Sequence, residues 1–189
     1  MVDDDEITRN AFRAAGGDRA AATRFAADTR HQLYRFLAAL SDPGIAEDLV
    51  QETFLRAFTA LPTYEGRSPA RLWLFAIAKR VAADHLRARR RRPQLSHAEN
   101  WTITAERAGA CEPDHGPLVT IHALIDALEP DRREAWVLTQ MLGLTYADVA
   151  EISRCATGTI RSRVFRAREE LLRALEADRA GPRRTAVSG

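Results

Sequence analysis

Apolar residues recur along most of this chain at spacings of three and four, and no stretch alternates at a spacing of two. The pattern predicts helices and no strands. Residues 1–17 carry no sustained period and close on Gly16-Gly17, so they are expected to be disordered. A helix is predicted over 18–40, with Phe25, Leu33, Phe36, Leu37 and Leu40 on one face. Ser41-Asp42-Pro43-Gly44 stops it and starts the next, over 45–61. There Ile45, Leu49, Phe54, Ala57, Phe58 and Leu61 are placed inward, while Glu47, Asp48, Gln51, Glu52 and Arg56 fall outward. After a loop over 62–69 a third helix is predicted over 70–90, packed through Leu72, Trp73, Ala76, Ile77, Val81 and Leu86. The period then lapses over 93–117, a stretch of Pro, Gly, Ser, His and acids that reads as a flexible linker between two domains. It resumes over 118–128 through Leu118, Ile121, Leu124, Ile125 and Leu128. Pro130 opens a further helix that Gly143 ends.

Residues 144–172 form two helical segments around a tight turn. Thr145 and Asp148, three residues apart, make a capping-box pattern ahead of Val149 and Ile152. Ser153-Arg154-Cys155-Ala156 breaks the period. Thr157 or Thr159 is available to cap the second segment, with Gly158 easing the corner. On that segment Ile160, Val164, Ala167 and Leu171 form one apolar stripe. Ser162, Phe165 and Arg166 lie opposite, flanked by Arg161 and Arg163. An apolar stripe with arginines across from it in the first turns suits a helix that enters the major groove of DNA; a plain solvated face is the alternative. Beyond 177 the tail reads as disordered. The fold class is therefore all-α, with small helical domains over 18–92 and 118–177.

Composition refines this picture. With 189 residues and 46% hydrophobic content, the chain has material for two cores. Net charge is only +2, so the distribution of charge carries the information. Lys79, Arg80, Arg87, Arg89, Arg90, Arg91 and Arg92 crowd the end of the third helix, opposed only by Asp84. The helix dipole accounts for one or two of these cations and a polyanion surface for the run. Two cysteines, Cys111 and Cys155, make no disulfide framework and fit a reducing compartment. Cys155 is read as packing in the turn rather than as a redox sensor. No apolar run reaches the roughly 18 residues of a membrane span, so no membrane insertion is expected.

Two blocks in this order resemble a known family. AEDLVQETFLRAF (46–58) followed by EGRSPARLWLFAIAKRVAADHLRARRRR (65–92) resembles the second conserved region of bacterial sigma-70 factors, and LTYADVAEISRCATGTIRSRVFRAREELL (144–172) resembles their fourth. With only a linker between them, the chain resembles an extracytoplasmic-function (group IV) RNA polymerase sigma factor. The resemblance implies a cytoplasmic, nucleoid-associated, non-enzymatic transcription-initiation subunit without cofactor. It would bind core RNA polymerase at the β′ clamp helices and the β flap, recognise −35 and −10 promoter elements, and assist strand opening. An anti-sigma factor, often membrane-bound in this family, would hold it off. Asp48, Gln51, Glu52 and Arg56 are the implied polymerase contacts. Tyr64, Arg80, Arg87, Arg89 and Arg90 are the implied −10 contacts. Tyr146, Arg161, Ser162, Arg163, Phe165 and Arg166 are those for the −35 element. Trp73 is read as a core residue rather than a melting wedge. Arg80 and Leu72 stand where the family often has Asn and Thr, so its −10 base preference does not carry over.

Two other classes account for less of the chain. A stand-alone helix-turn-helix regulator accounts for 144–172 but not for 46–92, and no dimerisation element is evident. An enzyme or metalloprotein would have to use His31, Asp84-His85, His97, Cys111, His115 or His122. Cys111 and His115 have tolerable zinc spacing but lack two further organised ligands, and Asp84 and His85 are helix neighbours pointing about 100° apart. No phosphate loop or nucleophile elbow is present.

Overall fold

The computed structural model describes residues 3–91 and 123–180; side chains are described for 3–89 and 123–177. Among the described residues every regular element is helical. The N-terminal domain comprises α1 (Asp4–Ala15), α2 (Arg19–Leu40), α3 (Ala46–Ala60) and α4 (Ala70–Arg91). The C-terminal domain has a helical piece over 123–126, then α5 (Pro130–Trp136), α6 (Tyr146–Ser153) and α7 (Thr157–Ala180). The 93–117 linker, the 118–122 start of the second domain, and the tail beyond 180 lie outside the described residues.

Helix α1 corrects the expectation of a disordered start. Asp4, Asp5 and Glu6 occupy its first turn and Arg13 its last, the arrangement that the helix dipole favours. Gly17, at φ +92°, turns the chain into α2, whose cap Asp18 accepts the amide of Ala21 and an ion pair from Arg13 at 2.7 Å. Ile7 and Ala11 are buried one turn apart. One large apolar side chain facing the core left a faint period, although the burial is complete.

The N-terminal core is built on Phe25, Leu33, Phe36 and Leu37 of α2, none with accessible surface, and Phe36 meets Phe75 of α4 edge to face at 5.3 Å. Helix α3 buries Ala46, Leu49, Val50, Thr53 and Ala57. That face is rotated from the predicted one: Phe58 is exposed at the rim, edge-on to Phe25. The buried hydroxyls of Thr29 and Thr53 donate to the carbonyls four residues back, both at 2.7 Å, so neither leaves an unpaired polar atom in the core. In α4 the fully packed positions are Leu72, Leu74, Phe75, Ala78, Val81 and Ala82; Leu86, expected inward, is exposed. Trp73 is half-buried.

Pro130 stands at the start of α5 behind the Glu129 cap. The helix does not run on regularly. Over Val137–Met141 it widens into a π turn before Gly143, at φ +71°, reverses the chain. The widening lets Val137, Leu138 and Thr139 all be buried in succession. The reciprocal capping box of Thr145 and Asp148 forms as predicted. The corner after α6 does not use Gly158. Arg154 itself takes the left-handed conformation (φ 52°), and the Cys155 amide closes back on the Ala150 carbonyl at 3.1 Å. The amides of Thr159 and Ile160 bond to the Ala156 carbonyl, which puts the α7 cap at Ala156 rather than at either threonine.

Candidate nucleic-acid interface

The stripe of α7 sits in the core as its spacing required: Ile160 and Ala167 have no accessible surface, Val164 little, and Leu171 is partly covered. Burying that stripe leaves the opposite face outward. Arg161, Ser162, Phe165 and Arg166 are all exposed, and Phe165 keeps 61% of its surface accessible. The packed helix therefore leaves a large apolar ring uncovered beside two arginines. Tyr146, at the start of α6, is 37% exposed. Arg163 does not join it. Its guanidinium pairs with Asp131 of α5 and lies 4.0 Å from the Cys155 sulfur, so it braces the turn from within.

On α3, Asp48, Gln51 and Arg56 are exposed and Glu52 half so. Arg56 is engaged: it bonds Glu52 at 2.7 Å and Asp84 of α4 at 2.9 Å, while Arg87 bonds Asp84 at 2.7 Å. The bridging Arg56 holds the Asp84 carboxyl below the usual carboxylate range, and the two carboxylates raise Arg56 in turn. Arg80, Arg87 and Arg89 line the exposed side of α4, and the Arg90 side chain lies outside the described residues.

Tyr64 is largely enclosed. It is 8% exposed, donates its hydroxyl to the Ser68 carbonyl at 2.5 Å, and is flanked by Phe12 and Trp73 with ring centroids 5.1 Å away on each side. Burial raises its pKa, which keeps the phenol protonated as a donor. With Trp73, Thr63, Glu65, Arg67 and Ser68 it walls a cleft of about 280 Å³, which has two aromatic walls and a polar rim. Trp73 is thus neither purely core nor a free wedge.

Both halves of the chain have counterparts among known proteins. Residues 23–92 match the sigma-70 region 2 family and residues 118–171 match sigma-70 region 4. A probable RNA polymerase sigma-C factor of Mycobacterium bovis is 46% identical over 178 residues, covering 93% of this chain and 95% of the relative. The RNA polymerase sigma-H factor of Pseudomonas aeruginosa is 34% identical over 180 residues, covering 87% of this chain and 91% of the relative. This chain belongs to the extracytoplasmic-function sigma factors of the sigma-70 family. Among solved structures, CnrH in complex with the cytosolic domain of CnrY superposes with a TM-score of 0.70 at 26% identity, covering 93% of this chain and 99% of that one. The sigma factor RpoE bound to the anti-sigma factor NepR, from Bartonella quintana, does so at 0.66 with 30% identity, covering 82% and 97%.

Two features of this sigma factor escaped the sequence. Leu55 stands 65% exposed on the outward face of α3, one turn beyond Gln51 and Glu52. From sequence Leu55 is assigned to neither face, although it stands four residues beyond Gln51. The second feature is a contact between the domains. Glu134 of α5, buried to 7% exposure, accepts from Lys79 of α4 at 2.7 Å and from Ser153 of α6 at 2.5 Å. Its two partners, Lys79 and Ser153, line a cleft of about 210 Å³ between α4 and α6 together with Arg80, Arg87 and Arg154. Glu134 pairs with Lys79 at the side of α4 that carries its basic residues, where Arg87 is paired with Asp84. No periodicity encodes such a long-range pair.

Proposed function

We infer that this chain binds core RNA polymerase and directs promoter-specific initiation, reading −35 DNA with α7 and −10 DNA with the 64–69 loop and α4. The polymerase performs the chemistry; this subunit supplies recognition. What carries the reading is the presence, in one chain of a sigma family, of two surfaces left outward by well-packed cores. These are the polar row on α3 with Leu55 at its centre, and the Arg161, Ser162, Phe165, Arg166 face of α7.

Asp48, Gln51, Glu52 and Leu55 face the β′ clamp helices, where charged and amide groups around one apolar anchor suit a coiled coil. Arg56 acts mainly by fixing Glu52 and tying α3 to α4. In the −10 region, Arg80, Arg87 and Arg89 hold phosphates, and the Tyr64–Trp73 cleft receives an unstacked base. Opening costs a few kcal/mol per unstacked base, which aromatic contacts of about 1–3 kcal/mol each offset. Arg161 and Arg166 address base edges or phosphates at −35, with Phe165 on apolar edges and Tyr146 on the backbone. The chain acts in the cytoplasm, at the nucleoid. No helix among the described residues is long and apolar enough to cross a membrane. Its partners are core polymerase, promoter DNA and, by likeness to the sigma factor RpoE solved with NepR, an anti-sigma factor.

The test is run-off transcription with purified core polymerase on DNA from upstream of the chain's own gene, alongside co-elution with core. A discrete new start, lost on charge reversal at Asp48 and Glu52, supports the reading. Failure to co-elute with core overturns it and restores the stand-alone regulator.

A further inference from the structure

Helix α1 has two working faces. Ile7 and Ala11 enter the core, whereas Asp4, Thr8 and Phe12 form a separate row at i, i+4 and i+8. Every member of that row touches the loop that precedes α4 or the first turn of α4. Asp4 pairs with Arg71 at 2.7 Å. Thr8 accepts the Ala70 amide on its hydroxyl oxygen at 3.1 Å, so a side chain 62 residues away in sequence caps α4. Phe12 lies on Tyr64 with centroids 5.1 Å apart.

The loop backbone is pressed against the same ring. Gly66 has φ +70°, and a Cβ added there would stand 2.5 Å from Cζ of Phe12. Phe12 is nevertheless 47% exposed. A phenyl ring on a surface helix, half in water, adds little to the core. Its one extensive contact is with the wall of the Tyr64–Trp73 cleft, as the outermost ring of the row Phe12, Tyr64, Trp73.

We propose that the Asp4–Thr8–Phe12 row of α1 positions the 64–69 loop for −10 recognition, and that Phe12 is a specificity-determining residue acting through Tyr64 and Gly66. Phe12 fixes the tilt of Tyr64 and the path of Gly66, and Thr8 fixes where α4 starts. Together they set the width of the cleft that an unstacked base enters. This rests on the assignment of the 64–69 loop and α4 to the −10 element.

The experiment uses full-length chain assembled with core polymerase. The template is a promoter library with the −35 element fixed and the −10 element randomised, read by sequencing the transcripts. Strand opening is followed in parallel by 2-aminopurine fluorescence in the non-template −10 strand. Phe12→Ala should flatten the −10 base preference and slow opening about three- to ten-fold, the scale of one lost aromatic contact, with affinity for core unchanged. Phe12→Tyr should restore both. Gly66→Ala should mimic the defect, and should cost less in the Phe12→Ala background, because the ring it strikes is gone. Unchanged preference and opening in folded Phe12→Ala, while Trp73→Ala alters the preference, would overturn the brace and leave the −10 assignment standing. If Trp73→Ala also leaves −10 preference intact, the underlying assignment fails with it. A fall in melting temperature without any change in preference would reduce Phe12 to a stability role and overturn the proposal.

Discussion

Replacing Glu134 should loosen the two domains from each other without unfolding either. Its carboxylate accepts from Lys79 and Ser153 through a single oxygen, and its side chain is 10% exposed against 29% for Lys79. A hydrogen bond to a charged group is worth roughly 1.5–3 kcal/mol. Lys79, at the edge of the cleft, recovers part of its hydration once the partner is gone, and this reduces the figure to about 1–2 kcal/mol. When the domains separate, water solvates Glu134, so the loss falls on the docked state alone. At 1.4 kcal/mol per factor of ten, docking should weaken about five- to thirty-fold in Glu134→Ala and similarly in Glu134→Gln. The assay is single-molecule energy transfer between dyes at Thr23 on α2 and Glu169 on α7, both exposed, with Cys111 and Cys155 replaced. The low-transfer population should grow in both variants, and the exchanged pair Lys79→Glu with Glu134→Lys should return it toward wild type. Identical distributions in wild type and Glu134→Gln across a salt series would refute the assignment of docking to this pair.

Three further outcomes are expected. Arg166→Ala should weaken binding to −35 duplex by about 1–3 kcal/mol in fluorescence anisotropy, whereas Arg163→Ala, whose guanidinium is held by Asp131, should lower thermal stability more than DNA affinity. Leu55→Asp should abolish co-elution with core polymerase while leaving circular dichroism and melting unchanged, since the residue is 65% exposed. By NMR the Asp84 carboxyl should titrate below its ordinary 3.8 and move back up in Arg56→Ala. Because its folded pKa is depressed, the Asp84–Arg56 tie is intact above the ordinary value and is lost as pH falls through the depressed one, so it is indifferent to pH near neutrality.

Where local chemistry decided structure, the sequence was readable. The capping box at Thr145, the proline that opens α5 and the apolar stripe from Ile160 to Leu171 each depend on residues within a few turns. The exposed α7 face followed from that stripe, since a helix with one buried side presents the other. Where a residue's role depends on a distant partner, the reading failed. Helix α1 has little apolar surface of its own, and its order comes from a core made by α2 and α4. Spacing alone does not show that Arg163 pairs with Asp131 or that Phe12 and Trp73 flank Tyr64. Arg154 took the left-handed corner that Gly158 was expected to ease, because the turn is closed by the Cys155 amide rather than by the residue with the freest backbone.

The contact at Glu134 has a consequence for what a binding constant would mean. Centres of −35 and −10 elements lie about 85 Å apart on straight duplex at 3.4 Å per base pair. If α4 reads the −10 element and α7 the −35 element, as proposed, a molecule in which α4 and α6 touch cannot engage both at once. The contour of the chain between Arg91 and Ala123 is at most about 110 Å, enough to let the domains part that far. Productive binding therefore draws on the separated fraction only, and a measured dissociation constant equals the intrinsic one divided by that fraction. Two sigma factors with identical contacts to promoter DNA would then bind it unequally if their interdomain carboxylates differed. A rank order of promoter affinities among such factors reports how firmly each one folds onto itself as much as how well each one fits the DNA.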